Sequence, residues 1–313
     1  MRYQNYRFQV PREKEIRVIT DTDAKNEADD PFAVVHTLLS PRFDNVGLIA
    51  AHFGTDRAAD SMEQSFGELR RILSLMDIPE ENLLFRGAGR PLPGPGVPVD
   101  SEGARLIIRE AMREDDRPLF VTFLGPLTDI ASAYLLEPAI AGRLSVIWIG
   151  GGQYPDGGPE FNLGNDIHAA NVVFSSPIPL WQVPKNVYEM MPVSFAELEY
   201  RVFPQGRLGR YLFEQLLACQ MEEASRKSPF RTGETWVLGD SPAPGLLLYE
   251  HRFCFDWICA PLITADMTYV HTKRSRPIRV YNSVDPRLIL EDFYCKLALF
   301  AQKIGRASCR ERV

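Results

Sequence analysis

Long apolar runs are missing from this chain of 313 residues, which excludes a membrane-spanning helix, since one needs about 20 consecutive apolar residues. The opening stretch MRYQNYRFQVPREKE has no apolar core of a secretion signal, so a cytoplasmic protein is expected. Its five cysteines (Cys219, Cys254, Cys259, Cys295 and Cys309) form no CxxC pair. Neither a zinc knuckle nor a disulfide framework is expected, and they are read as buried or idle thiols. Runs of Lys or Arg are also absent and the formal net charge is −6, which argues against a nucleic-acid surface and for a small-molecule substrate. Internal repeats are lacking. With 45% of residues hydrophobic there is enough apolar material for a packed core, so disorder is excluded as well.

What is present is an alternation. Short runs rich in Val, Ile and Phe (IRVIT, VGLIAAH, NLLFRG, LFVTFLG, LSVIWIGG and IPLWQV) are separated by longer amphipathic stretches. That order implies βαβ units and an α/β, doubly wound, mainly parallel, Rossmann-like sheet flanked by helices. Helices are predicted over residues 31–39, 56–76, 101–113, 127–136 and 166–174, the last capped by Asp166. GRPLPGPGVPVD is a surface loop. After Pro192 the pattern turns mostly helical, with 206–227 the longest candidate, then a late strand in PIRVYNSV and a closing helix over 286–303. In open α/β sheets ligands bind beyond the carboxyl ends of the strands, which draws Asp21–Asp30, His52–Thr55, Leu124–Asp129 and Gly150–Asn165 toward one edge.

The densest of these segments is ITDTDAKNEADDPFAVV, with Asp21, Asp23, Glu27, Asp29 and Asp30 where a strand gives way to a helix. Carboxylates this close raise one another's pKa unless a cation or a proton is shared among them. Asp29 or Asp30 could simply cap the helix that begins near Pro31; that accounts for one aspartate, not four. Zinc would ask for His or Cys, whereas calcium takes six to eight oxygens, and oxygen is all this cluster offers.

The motif resembles the DTDxGxDD signature of the inosine-uridine preferring nucleoside hydrolase family. Asp21, Thr22 and Asp23 match its start and Asp29 and Asp30 its paired aspartates, although the five residues AKNEA replace a three-residue spacer. LGPLTDIA is similar to the family's GPLTN segment, IGGGQYPDGGPEFNLGNDIHAANVVF to its MGG…EFNxxxDPEAA block, and LGDSPAPGLLL stands where the family has HDPLAVA. The resemblance implies a nucleoside hydrolase fold over residues 1–303 as a single catalytic domain. It also implies Ca²⁺ held by Asp23, Asp30, Asp240 and the Leu124 carbonyl, Asp23 as the base that activates water, and Asp29, Glu160 and Asn162 as ligands of the sugar. Family members commonly form homodimers or homotetramers, so a homo-oligomer is expected. The implied activity is calcium-dependent hydrolysis of the N-glycosidic bond of a ribonucleoside or related N-riboside.

Departures from the pattern set further expectations. Purine-handling members often carry a His before the last calcium aspartate, and here that position is Gly239. His52, ending a strand on the site edge, is the substitute general acid, or else a hydrogen-bonded histidine packed in a turn. His36, His168, His251 and His271 are given no chemistry. Gly54 stands near the place of the family's sugar-binding asparagine. Trp236 could stack on a base or belong to the core, and Lys25 and Glu27 of the enlarged loop could contact substrate or face solvent. Two other readings are carried: a haloacid-dehalogenase-type phosphatase with Asp21 as nucleophile and Mg²⁺, and a non-catalytic sugar or nucleoside sensor on the same fold. Residues 304–313, IGRASCRERV, resemble the in-frame translation of a sequencing adaptor and are set outside the fold.

Overall fold

The first strand, β1 (Ile16–Thr22), is buried at every position, as a central strand covered on both faces must be. The computed structural model describes residues 1–222, 226–227, 232–249, 253–272 and 275–310. In chain order the further strands are β2 (Phe43–Ala50), β3 (Leu84–Arg86), β4 (Leu119–Phe123), β5 (Ser145–Ile149), β6 (Leu180–Val183), β7 (Pro192–Ser194), β8 (Thr235–Val237), β9 (Phe255–Cys259), β10 (Leu262–Ile263), β11 (Tyr269–Val270) and β12 (Pro277–Tyr281). The main sheet has eight strands in the order β3-β2-β1-β4-β5-β6-β12-β9. All its pairings are parallel except β12 with β9. The order reverses between β1 and β4, the switch point where such sheets open a crevice.

Helices cover both faces. Asp30–Leu38, Ser61–Leu75, Gly206–Gln220, Pro242–Tyr249 and Pro286–Arg310 pack into one apolar core. Glu102–Met112, Thr128–Leu136 and Ile167–Ser175 pack into the other. Each fully buried Leu, Ile or Phe contributes about 1.5–3 kcal/mol, and Phe32, Leu38, Phe123 and Phe174 are all at or below 1% exposure. Trp148 ties core to site. Its ring meets Phe174 edge-on at 5.8 Å, and its indole N–H donates to the Gly125 carbonyl at 3.1 Å, anchoring the loop after β4. A Cβ on Gly150 would lie 2.4 Å from that ring, and Gly151 sits at φ +85° against Gln182 and Tyr269. The glycine run after β5 is therefore demanded by close approach and a left-handed turn.

The doubly wound parallel sheet is present as expected, and the differences lie after Pro192. The region is not mostly helical: β7 and β8 pair antiparallel, β10 and β11 likewise, and β9 closes the sheet edge. Strands of two or three residues carry too little periodicity to register, whereas the aromatic alternation of FDWIC is a strand signal. The long helix ends at Gln220. The closing helix runs on to Arg310 with Ile304 packed against the core, so the backbone stays helical across the boundary drawn at residue 303. His251 and residues 311–313 lie outside the described residues. No helix among the described residues is long and apolar enough to cross a membrane.

Candidate active site

Beyond the carboxyl ends of β1, β4, β5 and β6 lies a cavity of about 540 Å³, lined by Asp23, Asp29, Asp30, Leu124, Glu160, Asn162 and Asp240 among others. Ligand oxygens of Asp29, Asp30 and Asp240 lie within 4.8 Å of one another. Oxygens sharing one calcium ion at about 2.3–2.6 Å can be no more than about 5 Å apart, so the three fit a single cation. Asp23 Oδ2 is buried without a partner. Asp29 occupies the helix N-cap position but makes no capping bond; its Oδ2 instead accepts from the Asp240 N–H at 3.3 Å, across 211 residues of sequence. Helix capping thus leaves the cluster unexplained. Burial first, then the neighbouring carboxylates, push Asp23, Asp29 and Asp240 well above the usual carboxylate range. Asp30, which accepts from the Thr22 hydroxyl, rises mainly by burial to about 6. An all-oxygen donor set, crowded and under-partnered, is the chemistry of a hard divalent cation site.

The enlarged loop accommodates its extra residues in a turn at the rim of the cavity, where Asn26 and Glu27 line it. Asn26 N–H closes a turn on the Asp23 carbonyl at 2.8 Å, Asn26 Oδ1 accepts from Arg57, and the Ala28 carbonyl accepts from Gln215 at 2.8 Å. Asp29 and Asp30 therefore reach the cavity despite the longer spacer. Across from them a Cβ on Gly125 would lie 3.0 Å from the Asp23 carboxyl carbon, so a side chain there would crowd Asp23. The Leu124 carbonyl accepts from Asn162 Nδ2 at 2.8 Å, which leaves it a second lone pair. The same Nδ2 donates to Ile149 at 2.8 Å, so Oδ1 is the polar atom Asn162 has left to offer.

A sequence profile of the family described as inosine-uridine preferring nucleoside hydrolase matches residues 18–291. The chain belongs to that family. It is 26% identical over 207 residues to the pyrimidine-specific ribonucleoside hydrolase RihA of Salmonella paratyphi A, a match covering 58% of this chain and 64% of the relative. It thus spans less than two thirds of that curated relative's length. A pyrimidine-specific ribonucleoside hydrolase RihB of Escherichia coli is 30% identical over 131 residues, covering 40% of this chain and 42% of the relative. Among solved structures, the purine-preferring ribonucleoside hydrolase from Gardnerella vaginalis superposes with a TM-score of 0.75 at 18% identity, over 91% of this chain and 99% of that one. That likeness bears on the fold.

Within this member of the family several expected roles are redrawn. Glu160 is not free for a sugar: its carboxylate accepts from Gly151 N at 2.7 Å, Asn162 N at 3.1 Å, Leu163 N at 2.9 Å and the Tyr188 hydroxyl at 3.1 Å. Four donors fill the lone-pair sites of a carboxylate, so Glu160 caps the short helix Phe161–Asn165 and holds the frame. Trp236 lines the cavity but is 3% exposed and part of the core. Lys25 pairs with Glu68 at 3.5 Å, away from the cavity, whereas Glu27 lines it. Asp21 is fully buried behind the site against Asp129, and burial and that neighbour push it well above the usual range. A carboxyl sequestered there, outside the cavity lining, cannot be a phosphatase nucleophile. A Cβ on Gly239 would meet the Tyr188 ring at 3.1 Å, so that tyrosine occupies the space a side chain there would need. Tyr188 and Lys185 went unnoticed in the sequence, although both follow directly on strand IPLWQV, where the strand-end rule points.

His52 is the clearest correction. It is fully buried and is not among the residues lining the cavity. Its Nδ1 accepts from Gly54 N–H at 3.2 Å, which leaves Nε2 as the donor to Thr128 Oγ1 at 2.9 Å, and Thr128 donates on to Asp166 at 2.8 Å. Burial lowers its pKa to about 4, below its ordinary value near 6.5. A base with a lowered folded-state pKa contributes stability above its unfolded value and loses it as pH falls through 6.5 toward 4. His52→Gln, which cannot charge, should flatten that loss by about 2–3 kcal/mol while leaving any substrate preference unchanged. Urea unfolding of both proteins at pH 7 and pH 4.5 measures it, and an equal acid loss in the two would refute the assignment.

Proposed function

We propose that this protein is a calcium-dependent hydrolase that cleaves the N-glycosidic bond of a ribonucleoside or related N-riboside. The observation that carries the reading is the convergence of Asp29, Asp30 and Asp240 to within 4.8 Å, beside the unpartnered Asp23 Oδ2. Asp23, Asp30, Asp240 and the Leu124 carbonyl would hold the ion, with Asp29 a further carboxylate of the same cluster. Calcium, when bound, supplies an acidified water and a point of attachment for ribosyl hydroxyls. Asp23 takes a proton from the attacking water. Asp29 and Asn162 Oδ1 face the sugar. As the C–N bond stretches, positive charge grows on the ribosyl ring, and the surrounding carboxylates stabilise it. Burial keeps the effective dielectric low, which strengthens that field.

The test is a panel of uridine, inosine and 4-nitrophenyl riboside, each with calcium and with excess EGTA. Ribose release that depends on calcium is the expected result. Release undiminished by the chelator would overturn the metal assignment. Stabilisation by the substrates without any product would mark a sensor instead.

A further inference from the structure

Breaking an N-glycosidic bond separates charge: the sugar turns positive while the base leaves with the electron pair. The aspartates around Asp240 meet the first half of that demand. The second half asks for a proton donor or a cation on the far side of the bond. Among the described residues lining the cavity, Lys185 is the one basic side chain. It is exposed and, among the described residues, makes no ion pair or side-chain hydrogen bond, although acidic side chains line the same cavity. It opens the short helix Lys185–Tyr188 directly after β6, and its backbone N–H is pinned to the Gly151 carbonyl at 2.9 Å. Tyr188, three residues on and on the same helical face, lies against Gly239 with its hydroxyl spent on Glu160. Burial raises that phenol far above its ordinary range, so Tyr188 keeps its proton. Lys185, three residues before it, is the basic side chain placed to donate.

We propose that Lys185 is a catalytic residue that protonates the departing base, an inference that rests on the N-riboside hydrolase reading above. In the step, water oxygen bonds to the anomeric carbon as the C–N bond breaks and its electron pair passes to the base. One ammonium proton of Lys185 goes to the base. The proton that Asp23 takes from water is released to solvent, from which Lys185 is reprotonated. The net change is riboside plus water to ribose plus neutral base.

The closing experiment compares Lys185→Gln and Lys185→Arg with the unmutated protein, in calcium, on uridine and 4-nitrophenyl riboside. Nitrophenolate leaves without a proton, whereas a pyrimidine needs help worth roughly 10²-fold. Lys185→Gln should therefore lose roughly 10²-fold in kcat/KM on uridine and stay within about 3-fold on the nitrophenyl substrate, with Lys185→Arg in between on uridine. Equal losses on both substrates, or no loss on either, would overturn the role of Lys185 while leaving the hydrolase reading intact. Failure of the unmutated protein to cleave either substrate would overturn both.

Discussion

Replacing Asp240 by alanine should abolish tight calcium binding and lower kcat/KM by at least about 10³-fold, about 4 kcal/mol of transition-state stabilisation. Asp240 lies far along the chain from the acidic loop, yet its backbone N–H is bonded to Asp29 and its carboxylate shares a site with Asp29 and Asp30. The stability effect should have the opposite sign. In the metal-free protein the clustered carboxyls have folded-state values above the ordinary 3.8, Asp30 at about 6. A raised acid contributes stability below its unfolded pKa and loses it as pH climbs through its folded value. Metal-free protein should accordingly weaken from pH 4 upward through pH 6, and calcium should restore it. Asp240→Ala removes one of the repelling charges, so at pH 8 without metal it should melt above the unmutated protein, 1 kcal/mol being about 1.5 °C for a chain of this size. Calorimetric titration with calcium and melting curves with and without EGTA check both halves. Unchanged calcium affinity would sink the shared site. Leu124→Ile, which keeps the backbone carbonyl, should bind calcium within about 3-fold of the unmutated protein, a near-isosteric core swap costing under about 1.5 kcal/mol.

Glu160→Ala should destabilise the fold by about 3–5 kcal/mol, because it strands several donors now satisfied by one buried carboxylate and each such loss costs about 1–3 kcal/mol. Three of those donors are backbone N–H groups of Gly151, Asn162 and Leu163. The damage should reach the site through Asn162, whose Nδ2 bridges the Leu124 and Ile149 carbonyls. Calcium affinity should fall along with melting temperature. Glu160→Gln keeps one acceptor oxygen and should lie between. A sugar ligand with no structural duty would behave otherwise: KM would rise with the melting temperature unmoved, and that pattern would refute the framing role.

Much of this was written in the chain itself. Apolar runs such as IRVIT and LSVIWIGG declare buried parallel strands because both faces must be covered, and the clustering of Asp23, Asp29 and Asp30 declares a shared cation or proton because like charges so close in sequence repel one another. Local rules suffice for these, since strand burial and charge repulsion act between near neighbours. Tertiary structure decided the rest. Whether His52 faces a ligand or Thr128 depends on a partner 76 residues away. Whether Glu160 meets a sugar or caps a helix depends on Gly151 and Tyr188 arriving at the same point. Asp240 enters the site through β8, too short a strand to leave a period in sequence, and Lys185 stands at the cavity because β6 ends there. A carboxylate or an imidazole is the same group in either role. Which role it takes is set by the donors and acceptors that reach it, and those come from distant parts of the chain.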